Sequence, residues 1–225
     1  MLSHIQFYCL RHGTSTAISE GKIASSPAIC IENYGLTPGG QEEAKQTART
    51  FIQQNPTIFS QYTKDTFHIL TSDFRRASET AQIFGDELSR LFQEHAKANP
   101  SSTQDFGFSL ESEPLLRERW FGDLDGTSTD NYKIIWEQDN KDESIGASGS
   151  ESCVEVRARM LKLLHRIVSS LDQTKQHLVI FTSHGDSLQI LSTIFQKIPP
   201  GQHRTLKHLN VAELRFLGTE NDIPT

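Results

Sequence analysis

Four short segments of the chain carry the side chains that could do chemistry: "LRHG" (residues 10–13), "SDFRRA" (72–77), "LLRERWFG" (115–122) and "TSHG" (182–185). Each follows strand-forming residues and brings an Arg, a His or a Glu. In two of them the His is followed directly by Gly. Taken alone, "LRHG" allows three readings: a charged strand end in water, a metal ligand, or a histidine placed to react. If all four segments end strands of one open α/β sheet, they meet at its carboxyl edge, where ligands of such sheets gather.

The elements between them have to supply that sheet. "HIQFYCL" (4–10) reads as a strand, as do "TFHILTS" (66–72), a short stretch near 110–116, "HLVIFTS" (177–183) and "VAELRFL" (211–217). The most continuous apolar run, 177–183, suits a strand covered on both faces. Residues 14–35 hold Gly21, Pro27 and Gly35 without a sustained period, and read as a long loop. A helix follows, with Thr37 as cap, Pro38 in its first position and Glu42 and Glu43 near its positive end. Ala44, Ala48, Phe51 and Ile52 form its inward stripe.

Ala77, Thr80, Ala81, Phe84, Leu88 and Leu91 recur at helical intervals after the second strand, and 96–107 reads as an exposed connection. Residues 123–150 are polar, with a short helix expected at 132–137. Ser152 and Glu155 have the spacing of a capping box, opening a helix whose inner side carries Val156, Met160, Leu163, Leu164, Ile167 and Leu171. "LQILSTIFQ" is the last helix. Strands alternating with helices predict an α/β fold with a mainly parallel central sheet flanked by helices, as a single domain over 1–225.

Composition narrows the partners. With 28 acidic and 22 basic residues the net charge is −6, which argues against nucleic acid held on a broad basic face. No apolar run nears the roughly 20 residues that span a bilayer, and the first residues lack the marks of a secretory signal. Cys9, Cys30 and Cys153 are scattered and form no CxxC pair, so neither a zinc site nor a disulfide framework is expected, and a reducing cytoplasm fits. Cys9 reads as a small buried hydrophobe. Oligomeric state is not legible.

Together the segments "LRHGTS", "YGLTPGGQEEA", "TSDFRRASETA", "LLRERWFGDLDG", "GSES" and "FTSHGDSLQIL" resemble the histidine phosphatase superfamily, the phosphoglycerate-mutase-like proteins of branch 1. That resemblance implies a three-layer α/β sandwich. It implies His12 as a nucleophile passing through phosphohistidine and Glu118 as acid and base. Arg11, Arg76 and His184 would bind the phosphoryl group, with no metal or other cofactor. Gly13 and Gly185 would let backbone approach the phosphate, and Ser15 would either donate to it or serve a turn. Arg75, Arg117 and Arg119 read as surface or supporting charges, with Arg119 able to reach a substrate. Asp123 and Asp125 read as loop acids near the site mouth. His4, His68, His95, His165, His177, His203 and His208 read as surface or satisfied core residues.

The physical reading agrees with these roles. Phosphoryl transfer is mainly positioning and charge stabilisation, guanidiniums match phosphate oxygens in pairs, and an imidazole attacks through one nitrogen while the other N–H is held.

Two departures bear on activity. The family often places Asn seven residues after the motif's arginine, where this chain has Ile18. Phosphoglycerate mutases continue "G-x-N-K" after the acidic residue, where this chain has Gly126, Thr127 and Ser128, and 139–150 holds one Lys and no Arg. Hydrolysis of a phosphate monoester is therefore expected over mutase activity. The substrate expected is a phosphorylated small molecule, with a phosphoprotein left open. A non-catalytic interaction module that kept the fold is the reading from another class.

Overall fold

The computed structural model describes residues 3–99 and 105–224. Part of the connection expected at 96–107 therefore lies outside the described residues. In chain order the elements are β1 (Ile5–Arg11), α1 (Thr16–Ser19), α2 (Pro27–Cys30), α3 (Pro38–Gln54), α4 (Ile58–Gln61), β2 (Phe67–Thr71) and α5 (Arg75–Ala98). After them come β3 (Ser109–Ser112), α6 (Tyr132–Lys141), α7 (Cys153–Ser170), β4 (His177–Ser183), α8 (Gly185–Phe195) and β5 (Leu214–Thr219).

The sheet runs β3-β2-β4-β1-β5. Its first four strands are mutually parallel and only β5 is antiparallel, against β1. Side-chain alternation sends Leu178 and Ile180 of β4 to one face, where α3, α4 and α5 cover them, and Val179 and Phe181 to the other, beneath α7 and α8. Helices on both faces make the three-layer sandwich, and β4 at its centre is buried at every residue.

Local chemistry accounts for most element ends. Thr37 Oγ1 accepts from Gly40 N at 3.1 Å to open α3, and Ser152 with Glu155 completes the reciprocal box that opens α7. The segment 14–35 is not a plain loop. Ser15 caps α1 and Pro27 starts α2, and four-residue helices are too short to display a period. β3 stops at Ser112 rather than running to Leu116, because Pro114 opens a 3-10 turn through Leu116. The helix expected at 132–137 runs on to Lys141. Among the described residues no helix is long and apolar enough to cross a membrane.

Candidate active site

Register brings the two His-Gly pairs together. Arg11 of β1 lies opposite Ser183 of β4, so the next residues, His12 and His184, leave adjacent strand ends with ring centroids 5.2 Å apart. Thr71 of β2 lies opposite Thr182, which puts Ser72 beside the same edge. Its Oγ is 2.9 Å from His184 Nε2 and accepts from Phe74 N at 3.2 Å. Phe74 closes the far side of His184 edge to face, at 5.2 Å.

His12 is 4% exposed and held at both ring nitrogens. Nδ1 lies 2.7 Å from the Gly13 carbonyl and so carries the proton it donates there. Nε2 accepts from Arg76 Nε at 3.1 Å, which leaves the lone pair on Nε2. Burial first, then the Arg76 and Arg11 cations, push its pKa well below the usual histidine value, against the Gly13 bond. His184 is pushed down in the same direction, by burial first and then by Arg76 and His12. Two neutral imidazoles therefore face each other across the strand ends.

Arg76 sits in the first turn of α5 and donates Nη2 to the Ala24 carbonyl at 2.8 Å. Arg11 donates Nη1 to the Leu209 carbonyl at 2.7 Å and meets His208 Nε2 at 3.2 Å. A Cβ on Gly185 would lie 3.4 Å from Arg11 Cζ, so this glycine seats the guanidinium against the start of α8. Arg11 Nε, Arg76 Nη1 and His184 Nδ1 are all buried without a hydrogen-bond partner. Groups of this kind are normally satisfied, and these three belong to residues gathered around His12.

Glu118 completes the group from the segment after β3. Its Oε1 accepts from Arg119 N at 2.9 Å and Ser187 N at 3.1 Å. The side chain is partly accessible. Burial first, then the nearby Asp186 carboxylate, raise its pKa above the ordinary glutamate value, opposed by its backbone donors and by Arg76.

His12, Glu118, Arg11, Arg76, His184 and Gly185 thus converge. Ser15 Oγ accepts from Ile18 N at 3.4 Å, which is the arrangement of the turn it caps. Gly13 is required by the chain itself, since a Cβ there would sit 2.5 Å from the Gly40 carbonyl oxygen. Glu43 does not act in the first turn of α3. It holds the backbone just beyond Gly13, accepting from Thr14 N at 2.8 Å and Thr14 Oγ1 at 2.9 Å. Asp125 is a clasp, accepting from Ser25 N, Ser25 Oγ and Ser26 N.

Arg119 departs most from expectation. It is not at the surface but 0% exposed, with Nη1 and Nη2 each 2.7 Å from an oxygen of Asp139 and Nε 2.7 Å from the Glu151 carbonyl. His203 is buried with Nε2 unpartnered, so it is not the satisfied core residue expected. It neighbours Asp139 and Cys153, but Asp139 already gives both oxygens to Arg119, which leaves a cation little to bind there.

Several supporting residues escaped the sequence reading: Ser72, Ser187 and Arg159, whose Nη2 donates to Ser187 Oγ at 3.2 Å. Thr80, part of the helical stripe, also accepts through Oγ1 from Gly13 N at 3.1 Å. Ser72 opens the segment "SDFRRA" and Ser187 lies within "FTSHGDSLQIL", and that position inside a motif is the signal that could have marked them.

The profile of the histidine phosphatase superfamily (branch 1) matches residues 7–224. The chain belongs to this superfamily. A 2,3-bisphosphoglycerate-dependent phosphoglycerate mutase of Bradyrhizobium diazoefficiens is 27% identical over 171 residues, covering 73% of this chain and 70% of that protein. Among solved structures, a mycobacterial glucosyl-3-phosphoglycerate phosphatase superposes with a TM-score of 0.66 at 20% identity, over 93% of this chain and 88% of the other. The phosphoserine phosphatase of Entamoeba histolytica, in complex with 3-phosphoglyceric acid, gives 0.62 at 18% identity over 93% and 88%. At such identity these structures speak for the fold, so the superfamily's phosphatases and mutases both stand beside this chain.

Proposed function

We propose that the chain is a phosphohydrolase that cleaves phosphate monoesters of small molecules through a phosphohistidine on His12, without a metal. The observation that carries this reading is the neutral His12 with its lone pair on Nε2, ringed by the unpartnered buried guanidinium donors of Arg11 and Arg76 and by the unpartnered Nδ1 of His184. Fixed donors of this kind suit the equatorial oxygens of a transferring phosphoryl group.

In the first step Nε2 bonds to phosphorus as the ester P–O bond breaks, and the leaving oxygen takes the Glu118 proton. In the second, water attacks phosphorus, Glu118 takes its proton, and the N–P electron pair returns to Nε2. The raised Glu118 pKa favours the protonated acid that the first step needs.

A mutase would have to hold a second anionic group beside the phosphoryl site. The cations at hand are already engaged: Arg119 with Asp139, Arg117 with Asp73 and Arg159 with Glu151. That charge balance supports hydrolysis over transfer.

The test is phosphate release from a panel of monoesters in excess chelator, beside a coupled mutase assay and a His12→Ala control. Release that disappears in folded His12→Ala supports the reading; near-normal turnover by that variant, or a strict divalent-metal requirement, refutes it. Glu118→Gln should slow esters of poor leaving groups more than nitrophenyl phosphate, and equal losses would point to another acid.

A further inference from the structure

If Glu118 protonates the leaving oxygen, the alcohol half of the substrate has to extend from Glu118 into whatever space adjoins it. A cavity of about 370 Å³ does adjoin it, at the small end of the roughly 300–1,000 Å³ usual for ligand sites. Its walls are Pro27 and Ala28 of α2, Pro114, and the indole of Trp120, which is 38% exposed although its backbone N–H is tied to Glu151 Oε2 at 2.9 Å. The backbone is therefore fixed while the ring stays available.

Two guanidiniums also face this space, and neither is free. Arg117 donates Nε and Nη2 to the two oxygens of Asp73, at 2.8 and 2.5 Å. Arg159 donates Nε and Nη2 to the two oxygens of Glu151, at 3.1 and 3.2 Å, and further to the Leu115 carbonyl and Ser187 Oγ. With Asp73 neutralising Arg117, Glu151 neutralising Arg159 and Glu118 carrying the proton it donates, the lining carries no surplus positive charge. A carboxylate entering here would lose water and gain no cation, which is costly, whereas an aromatic or aliphatic body would lie on the indole and the proline rings.

The geometry points to this cavity as the leaving-group pocket, built for an uncharged aryl or compact apolar alcohol, with Trp120 as the residue that selects it. The inference rests on the assignment of Glu118 as the acid. It sets the chain's preference apart from anionic sugar acids such as 3-phosphoglycerate.

The experiment compares 4-ethylphenyl phosphate with 4-(carboxymethyl)phenyl phosphate, near-isosteric esters with closely matched leaving groups. The ethyl ester should lead in kcat/KM by about tenfold or more, and Trp120→Ala should remove most of that lead by raising KM for the ethyl ester. Trp120→Phe should keep the preference, and inhibition by inorganic phosphate should stay the same in both variants. Equal or better use of the carboxylate ester overturns the proposal, as does a Trp120→Ala variant that keeps the preference or slows both esters alike. If neither ester releases phosphate, the hydrolase reading fails and the pocket is decided by calorimetry with the two corresponding phosphonates. Preferential binding of the ethyl compound, lost in Trp120→Ala, upholds it; equal binding overturns it.

Discussion

Removing Asp139 should destabilise the chain far more than removing it together with its partner. Arg119 is wholly buried, and Asp139 meets it with two bonds of 2.7 Å. In Asp139→Ala the guanidinium keeps only the Glu151 carbonyl at 2.7 Å and the Asp186 carboxylate, whose Oδ2 lies 3.7 Å from Nη1. Stripping one partner from a buried pair costs about 3–5 kcal/mol, and the nearby Asp186 places this case near ~3. At about 2–4 °C per kcal/mol for a chain of this size, Tm should fall by roughly 6–12 °C. The double variant Arg119→Met, Asp139→Leu removes charge from both sides and should return to within about 1 kcal/mol of the parent. Urea unfolding followed by circular dichroism, with calorimetry for Tm, reads both. A single variant within about 1 kcal/mol of the parent, or a double variant as weak as the single, would refute the reasoning.

Stability should also fall in mild acid. The pKa values of His12 and His184 are lowered on folding, so their contribution is complete above the unfolded value of 6.5 and is lost as pH drops below it. Below pH 6 each costs about 1.4 kcal/mol per pH unit, because the unfolded chain binds protons that the folded chain refuses. Urea unfolding at pH 7, 6 and 5 should show this slope, and His184→Gln should flatten it by one histidine's share; an unchanged slope would count against two neutral imidazoles. Gly13→Ala should cost about 1–3 kcal/mol, because its Cβ would stand 2.5 Å from a backbone oxygen that cannot turn away. Urea unfolding reads that too, and a neutral result would mean that α3 can shift relative to β1.

The groups proposed for the chemistry were legible because each ends a strand or follows one within a few residues, and parallel register carries those strand ends to one edge whatever lies between them. Helix caps were legible for a similar reason: Thr37 and Ser152 act on backbone three residues away. What stayed hidden was long-range pairing. Nothing near Arg119 indicates that its partner stands 20 residues on, in a helix whose surroundings are polar. Glu43 looked like an ordinary helix acid because Thr14, which it holds, lies 29 residues earlier. The short helices in 14–35 were missed because four residues complete barely one turn, too little for periodicity to register.

Arg119 links the fold's buried ion pair to the carboxyl proposed as acid and base. A buried glutamate beside a buried arginine would ordinarily be held ionised. Here the guanidinium faces Asp139 and Asp186, while Glu118 receives only the backbone N–H groups of Arg119 and Ser187. Burial first, then the Asp186 carboxylate, raise the Glu118 pKa against the pull of Arg76 and of those backbone donors. Asp139 engages both terminal nitrogens of Arg119, so Glu118 meets that residue through its backbone N–H rather than through its guanidinium.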